Sequence, residues 1–208
     1  MADTTLRLSR RHVVLFGVGG LLWLTVIIAG LLLLIDYSSA PGITHDGVRK
    51  WPGGSVISRA EGLPSLVMFL HPRCACSRAG LNELARLLAD CRNAVAVRAV
   101  FFCPDGESET WAHTDLWHLA TRLSDAPPLI DYEGREATRF GATTSGHVLL
   151  FAPQGQRLYS GGITSGRGHE GDNFGCQAIR NLLDGVPVKR ATFPVYGCPL
   201  LMRPGGDE

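Results

Sequence analysis

The sequence has no segment dominated by charge of one sign. Its 20 lysines and arginines nearly balance its 19 aspartates and glutamates, and the formal net charge is +1. Nucleic-acid binding needs positive charge that neutralises phosphates, and no stripe or block of Lys and Arg is present. Repeats at the periods of solenoid proteins and low-complexity tracts are also absent. The composition therefore excludes nucleic acid as an expected partner, and it excludes a repeat array.

One long uncharged run stands near the start of the chain. Residues 13–35 contain 23 residues without a charge, and about 20 apolar residues suffice to cross a bilayer. Arg7, Arg10 and Arg11 precede the run and Asp36 follows it. The positive-inside rule then predicts a cytoplasmic tail at 1–12, one transmembrane helix, and residues 36–208 outside the cytoplasm.

A cleaved signal peptide is the alternative for this run, because Ser38-Ser39-Ala40 resembles a small-residue cleavage site. The run exceeds the usual apolar core of about 7–15 residues in a signal peptide, and Pro41 would follow the cut. The pattern therefore favours an uncleaved membrane anchor. Residues 36–54 contain two Pro-Gly turns and predict a linker.

Six cysteines are present, and two of them form the only closely spaced pair, Cys74-Ala75-Cys76. The pair follows an apolar run at 65–70, which predicts a strand, and it opens a segment with helical spacing at 76–90. Backbone N–H groups and the helix dipole favour a thiolate at such a turn. The simpler interpretation is two buried cysteines without a chemical role.

The remaining elements alternate along the chain. We expect a second strand at 95–102, a short third strand at 127–131, and a hairpin formed by 147–151 and 157–160. Helices are expected at 114–123, at 136–140, and in a last segment that Gly185 ends. Alternation gives parallel strands and the hairpin adds an antiparallel pair, so the prediction is an α/β sandwich with a mixed sheet.

Residues 55–186 resemble the thioredoxin-like superfamily. Three features carry the resemblance: the thiol motif between the first buried strand and a long helix, the hairpin before a final helix, and the approach to that hairpin at 131–141. The segment 131–141 looks like the segment before the hairpin in membrane-tethered thiol–disulfide proteins. The resemblance implies a three-layer sandwich with a central mixed sheet and a C-terminal tail at 187–208.

A second resemblance is to a bacterial membrane-anchored group labelled RedB. It is carried by four short motifs: His-Pro-x-Cys-x-Cys-Ser, Thr-Ser-Gly, Arg-Gly-His-x-Gly-Asp-Asn, and a terminal Gly-Cys-Pro-Leu. This resemblance implies a bacterial inner-membrane protein with its domain in the periplasm, or otherwise outside the cytoplasm.

The sequence departs from the superfamily at two positions of the thiol site. Thioredoxin-like proteins usually have Cys-x-x-Cys, whereas here Cys74 stands at the nucleophile position, Ser77 at the partner position, and the second thiol is Cys76. They also have a cis-proline before the hairpin, where this chain has Ser145 or Gly146. Peroxiredoxins share the fold, but their Pro-x-x-x-Thr-x-x-Cys motif does not precede Cys74.

The resemblance also implies positions for the other candidate residues. Cys103 is expected at the same sheet edge as the thiol pair, and Cys91 at the opposite edge, in the core. The loop 161–173 is expected to return to the thiol edge and bring four side chains near it, those of Arg167, His169, Asp172 and Cys176. Cys198 has no implied place: it can fold back to the thiols or pair elsewhere.

The hypothesis that these features favour is thiol–disulfide exchange, which makes the protein an oxidoreductase with a redox-active centre. Cys74 would attack, Cys76 would resolve the mixed disulfide, and His71 or His169 would carry the proton. The pair would form a small, strained and easily reduced ring. The expected partner is a protein thiol or disulfide outside the cytoplasm, and no cofactor is expected.

Two alternatives remain open. One is a copper- or zinc-binding protein, in which Cys74 and Cys76 supply sulfur and a third ligand comes from His71, His147, His169 or Cys103. No second Cys-x-x-Cys or His-x₃-His motif supports a closed site. The other is an inactive thioredoxin-like interaction module on a membrane anchor, which the missing proline favours.

Overall fold

The structure, a computed structural model, describes residues 10–43 and 47–200. Most of the predicted cytoplasmic tail and the last eight residues of the predicted C-terminal tail lie outside the described residues. The chain divides into two compact units, with the boundary between Ser38 and Ser39. The predicted limits of linker, domain and tail stay predictions.

The first unit contains a single long helix, α1 (Arg10–Ser39), which spans the uncharged run. Its 30 residues rise about 45 Å, more than the hydrocarbon thickness of a bilayer. Its most apolar window has a mean hydropathy of 2.6. By length and composition the helix can cross a membrane, and its place near the N-terminus also suits a signal sequence.

The second unit is an α/β domain around a five-stranded sheet. The strands are β1 (Ser65–Leu70), β2 (Ala96–Cys103), β3 (Leu129–Tyr132), β4 (His147–Phe151) and β5 (Arg157–Gly161). The helices are α2 (Ala75–Cys91), α3 (Asp115–Leu123), α4 (Arg135–Phe140) and α5 (Phe174–Leu183), with 3₁₀ turns at Arg92–Ala94 and Glu109–Trp111.

The sheet has the order β3-β2-β1-β4-β5. Strand β1 is central: it pairs in parallel with β2 and antiparallel with β4, and β4 forms the predicted hairpin with β5. The prediction of an α/β fold with a mixed central sheet is confirmed. Element limits differ from the expected ones by one or two residues, as helix and strand ends commonly do.

Strand β1 is buried along its whole length because both faces of the sheet are covered. Alternate side chains of a strand point to opposite faces, so Met68 packs with α2 and α5 in one apolar cluster. Phe69 points the other way and packs with Phe140 of α4 and Phe151 in a second cluster. The continuous apolar run at 65–70 therefore reflects a central strand, and its last residue delivers the chain to the thiol turn.

After α5 the chain returns along the edge of the sheet. The Phe193 N–H donates to the Ser160 carbonyl over 3.0 Å, so the returning segment adds to the outer side of β5. It then crosses to the turn before β4, where the Ser145 N–H donates to Cys198 O (2.8 Å) and the Leu200 N–H to Thr143 O (2.9 Å). The segment 191–200, hereafter the tail segment, is thereby fixed against the domain.

Candidate functional site

The turn between β1 and α2 is closed by two buried serines. The His71 N–H lies 3.1 Å from Ser77 Oγ and 3.0 Å from Ser145 Oγ. The Ser77 hydroxyl donates to the His71 carbonyl over 2.8 Å, and the two serine oxygens are 2.6 Å apart. Because these hydroxyls satisfy the backbone groups at the end of β1, the turn places Cys74 at the start of α2.

Cys74 is the N-cap residue of α2, since its carbonyl accepts the Arg78 N–H over 3.2 Å. Its side chain is only 5% exposed, yet the pKa of its thiol is lowered to about 4. The main cause is a hydrogen bond from Cys76, which outweighs the opposite effect of burial. Further donors are the Ser77 N–H and the thiol and N–H of Cys198. Cys74 is therefore a thiolate at neutral pH.

Cys76 lies in the first turn of α2 and is 7% exposed. Its hydrogen bond to the Cys74 sulfur raises its pKa, and so do burial and the negative charge of the Cys74 thiolate. The Gly168 N–H, in the loop after β5, opposes this shift with a hydrogen bond of its own. Cys76 therefore keeps its proton and serves as a donor to Cys74.

Cys198 completes the group, because the tail segment carries it onto the thiol turn. Its Sγ lies 3.3 Å from the Cys74 Sγ. Burial raises the pKa of its thiol to about 11, and the hydrogen bond to Cys74 acts in the same direction. Cys74, Cys76 and Cys198, hereafter the thiol cluster, thus hold one thiolate between two thiols.

Two neighbours of Cys74 pack against an aromatic surface. The His71 ring lies 5.5 Å from that of Trp111, and its Nδ1 accepts the Arg73 N–H over 3.2 Å. The guanidinium of Arg73 lies 4.7 Å from the centre of the Trp111 ring. Burial lowers the pKa of His71, so its ring is neutral at pH 7 and holds the turn as an acceptor.

The loop 161–173 reaches the thiol cluster through its backbone and Arg167. Arg167 Nη1 donates to Gly197 O over 2.6 Å, directly before Cys198. The predicted proton carrier His169 is exposed, with Nδ1 2.9 Å from Arg167 O. Its role in catalysis stays a prediction.

The other predicted residues lie in different surroundings. Cys103 is fully buried at the end of β2, and burial raises the pKa of its thiol. Asp172 and Cys176 line a separate cavity of about 640 Å³ between α2 and α5. Cys91 lies in the core, as expected.

Gly146 occupies the position before β4 at which thioredoxin-like proteins have a proline. Its φ is +87°, and its N–H donates to Phe69 O over 2.8 Å, so the backbone at this position is held against the end of β1.

A set of metal ligands, as the copper or zinc hypothesis requires, is not found in the part of the chain that the structure describes. Within residues 10–43 and 47–200, no group of three or more His, Cys, Asp or Glu side chains is arranged to hold an ion. His147, one candidate third ligand, is buried with its Nε2 2.9 Å from Ser160 Oγ. Copper or zinc binding therefore stays a prediction from the sequence.

A small cavity of about 350 Å³ opens beside the thiolate. Its lining combines the thiol turn with the start of α3: Pro72, Arg73, Cys74, Ala75, Arg78, Thr114, Asp115 and Leu116. Arg78 and Asp115 form an ion pair across it. This cavity gives a partner side chain room next to Cys74.

The sequence does not predict the position of Cys198 in the fold, although the glycine before it is informative. Gly197 precedes it, and a Cβ at that position would lie 1.9 Å from Ser145 O. Only glycine lets the tail segment approach the turn before β4 this closely. A glycine beside an unassigned cysteine therefore marked a close backbone contact.

Solved structures share the architecture. An uncharacterized conserved protein from Geobacillus kaustophilus is 21% identical, with a TM-score of 0.57, over 81% of this chain and 95% of that one. A hypothetical protein from Sinorhizobium meliloti 1021 is 19% identical, with a TM-score of 0.56, over 81% and 97%. A thioredoxin-like protein solved in its oxidized form is 16% identical, with a TM-score of 0.45, over 72% and 97%.

No protein-family model matches the sequence, and no curated protein matches it. The two stronger structural matches are below 25% identity, so they bear on the fold and not on the activity. The two matches with TM-scores above 0.5 show that solved proteins share the fold of this chain. The strand order β3-β2-β1-β4-β5, with the thiols between β1 and α2, is the arrangement predicted from the resemblance to thioredoxin-like proteins.

Proposed function

We propose that this protein catalyses thiol–disulfide exchange with Cys74 as the attacking thiolate. The observation that carries the proposal is the position of Cys74 at the start of α2, with the Cys198 Sγ 3.3 Å from its own Sγ. The thiol and amide donors around its sulfur lower the pKa of Cys74 to about 4. The thiolate is the reactive form of cysteine, and the lowered pKa favours it at neutral pH. The cavity beside Cys74 offers space for the sulfur atoms of a partner.

The reaction begins when the Cys74 thiolate attacks one sulfur of a partner disulfide. A bond forms between Cys74 and that sulfur, the partner's S–S bond breaks, and its other sulfur leaves as a thiolate that takes up a proton. A second thiol of this protein then releases the partner, as the sequence predicts for Cys76. Electrons pass between sulfurs throughout, so the chemistry requires no cofactor.

The proposal includes a location outside the cytoplasm. Helix α1 would anchor the chain in a bacterial inner membrane, and the basic residues before it would keep the N-terminus inside. Disulfide chemistry persists in the oxidising compartment beyond that membrane. The four motifs that resemble the RedB-like group agree with this arrangement. The expected partner is therefore an extracytoplasmic protein that carries a thiol or a disulfide.

The test compares Cys74→Ser with a matched cysteine variant, Cys91→Ala, which lies in the core at the far end of α2. The full chain, reduced in detergent micelles, is mixed with oxidised glutathione, and release of reduced glutathione is followed with time. We expect Cys74→Ser to lower the rate by about 100-fold, because it removes the thiolate, and Cys91→Ala to leave it unchanged. Equal rates for the wild type and Cys74→Ser would refute the proposal.

A further inference from the structure

The tail segment brings a third thiol to a site whose sequence motif contains only two. Cys198 lies 124 positions after Cys74, yet their Sγ atoms are 3.3 Å apart. We propose that Cys198, and not Cys76, resolves the mixed disulfide at Cys74, so that the redox pair is Cys74–Cys198. This inference rests on the exchange function proposed above, and it names the partner thiol of that same site.

The separation of the two sulfurs supports this pairing. A disulfide has an S–S distance of about 2.0 Å, so the two sulfurs need to approach by little more than 1 Å. Cys198 lies in an irregular segment, beyond the last helix and outside the five strands. A rotation of its side chain and a small shift of the tail segment can therefore close the bond without disturbing a helix.

Cys76 is less suited to this step, although it also contacts Cys74. It belongs to the first turn of α2, and it is only two residues from Cys74. A disulfide between residues two apart closes a small, strained ring, so a Cys74–Cys76 bond would distort the turn that the hydroxyls of Ser77 and Ser145 hold. Cys76 acts instead as the hydrogen-bond donor that keeps Cys74 ionised.

Several contacts position Cys198 over Cys74. Its carbonyl accepts the Ser145 N–H, the preceding carbonyl of Gly197 accepts Arg167 Nη1, and Pro199 pairs with Thr144 as an isolated bridge. Val195 and Leu200, on either side, are buried at 0% and 2% exposure. These anchors hold the thiol at high effective concentration next to Cys74.

The step balances as follows. Cys198 loses its proton to solvent and attacks Cys74 Sγ in the mixed disulfide as the thiolate, and the departing sulfur of the partner takes up a proton. The Cys74–partner bond breaks as the Cys74–Cys198 bond forms, and the partner leaves as a thiol. Over both steps the partner disulfide is reduced by two electrons, and Cys74 and Cys198 are oxidised by two. The partner sulfur reaches Cys74 through the cavity that Cys74 lines, while the anchors keep Cys198 in place.

The test maps the disulfide in the full-length protein. Reduced protein in detergent micelles is treated with oxidised glutathione, free thiols are blocked with N-ethylmaleimide, and a non-reduced tryptic digest is analysed by mass spectrometry. Trypsin cuts after Arg73 and Arg78, so one short peptide contains both Cys74 and Cys76. We expect this peptide to be joined to the peptide that carries Cys198. An internal bond within the short peptide would overturn the inference.

Two variants identify the sulfurs. Cys76→Ser should keep the joined peptides, which assigns the bond to Cys74, whereas Cys198→Ser should accumulate the glutathione adduct on Cys74 at least about tenfold over wild type. The Cys91→Ala control should behave as wild type. Loss of the joined peptides in Cys76→Ser would overturn the pairing while the exchange function stands. Absence of a glutathione adduct on Cys74 in every variant would overturn the exchange function itself.

Discussion

The domain contains two regions in which a cysteine is buried at the start of a helix, and the two differ in the groups around the sulfur. Cys74 caps α2 and is 5% exposed; Cys176 lies in the first turn of α5 and is 8% exposed. The pKa of Cys74 is lowered to about 4, whereas burial raises the pKa of Cys176 to about 11. Burial is alike at the two sulfurs, so burial alone does not explain the difference.

The donors explain it. Cys74 receives hydrogen bonds from two thiols and from backbone N–H groups. At Cys176, by contrast, burial raises the pKa, a hydrogen bond from the Asn173 side chain lowers it by less, and the buried carboxylate of Glu83 raises it further. The two sites therefore differ in the number of hydrogen bonds to the sulfur, and the carboxylate near Cys176 adds to the difference.

The largest expected difference between the two sites is the pH at which the Cys74 and Cys176 thiols lose their protons. A lowered pKa means that Cys74 loses its proton as the pH rises through about 4, so its thiolate absorbance at 240 nm should be complete by pH 6. A raised pKa means that Cys176 stays a thiol until about pH 11. Subtracting the absorbance curve of Cys74→Ser from that of reduced wild type isolates Cys74. A midpoint near 9 would contradict the account of donors.

A smaller effect is expected when the hydrogen-bond donors to the Cys74 sulfur are removed one at a time. Cys76→Ala removes the strongest of them, and a hydrogen bond to a charged group contributes about 1.5–3 kcal/mol, or roughly one to two pH units in the Cys74 midpoint. Cys198→Ala should raise the midpoint by less, because the Cys198 N–H still donates. The same absorbance titration measures both shifts.

Serine variants provide the matched control for this second prediction. Cys76→Ser retains a hydroxyl that can donate, so its midpoint should stay closer to that of wild type than the midpoint of Cys76→Ala. If Cys76→Ala and Cys76→Ser titrate like wild type, the helix terminus alone would account for the thiolate, and the contrast with Cys176 would need another cause.

The fold could be predicted because its signals are local. The apolar run at 65–70, the hairpin at 147–160 and the helical spacing after Cys76 each depend on neighbouring residues, and the structure confirms them. The third sulfur depended on a backbone pairing between Ser145 and Cys198, which are 53 positions apart. No periodicity reports such a contact, and only the glycine before Cys198 hinted at it.

The loop 161–173 also makes contacts at the site that the sequence does not predict. The strand order predicts that this loop returns to the sheet edge of the thiols. It does not predict which atoms of the loop contact the sulfurs. His169 was predicted as the proton carrier from its chemistry, whereas the contact to Cys76 is made by the N–H of Gly168. Backbone groups carry no residue-type signal, so a sequence cannot reveal them as part of a site.

The smallest expected effect belongs to the core cysteines, and it tests whether the two regions act independently. Cys176→Ala should lower the free energy of unfolding by about 1 kcal/mol, because it removes one buried sulfur from a packed cluster. Exchange with oxidised glutathione should stay at the wild-type rate, since the donors to Cys74 are unchanged. Urea unfolding of the reduced protein measures the first quantity, with Cys91→Ala as the matched core variant. A fall in exchange rate with little loss of stability would instead place Cys176 in the working site, and the contrast between a reactive cluster and an inert core would fail.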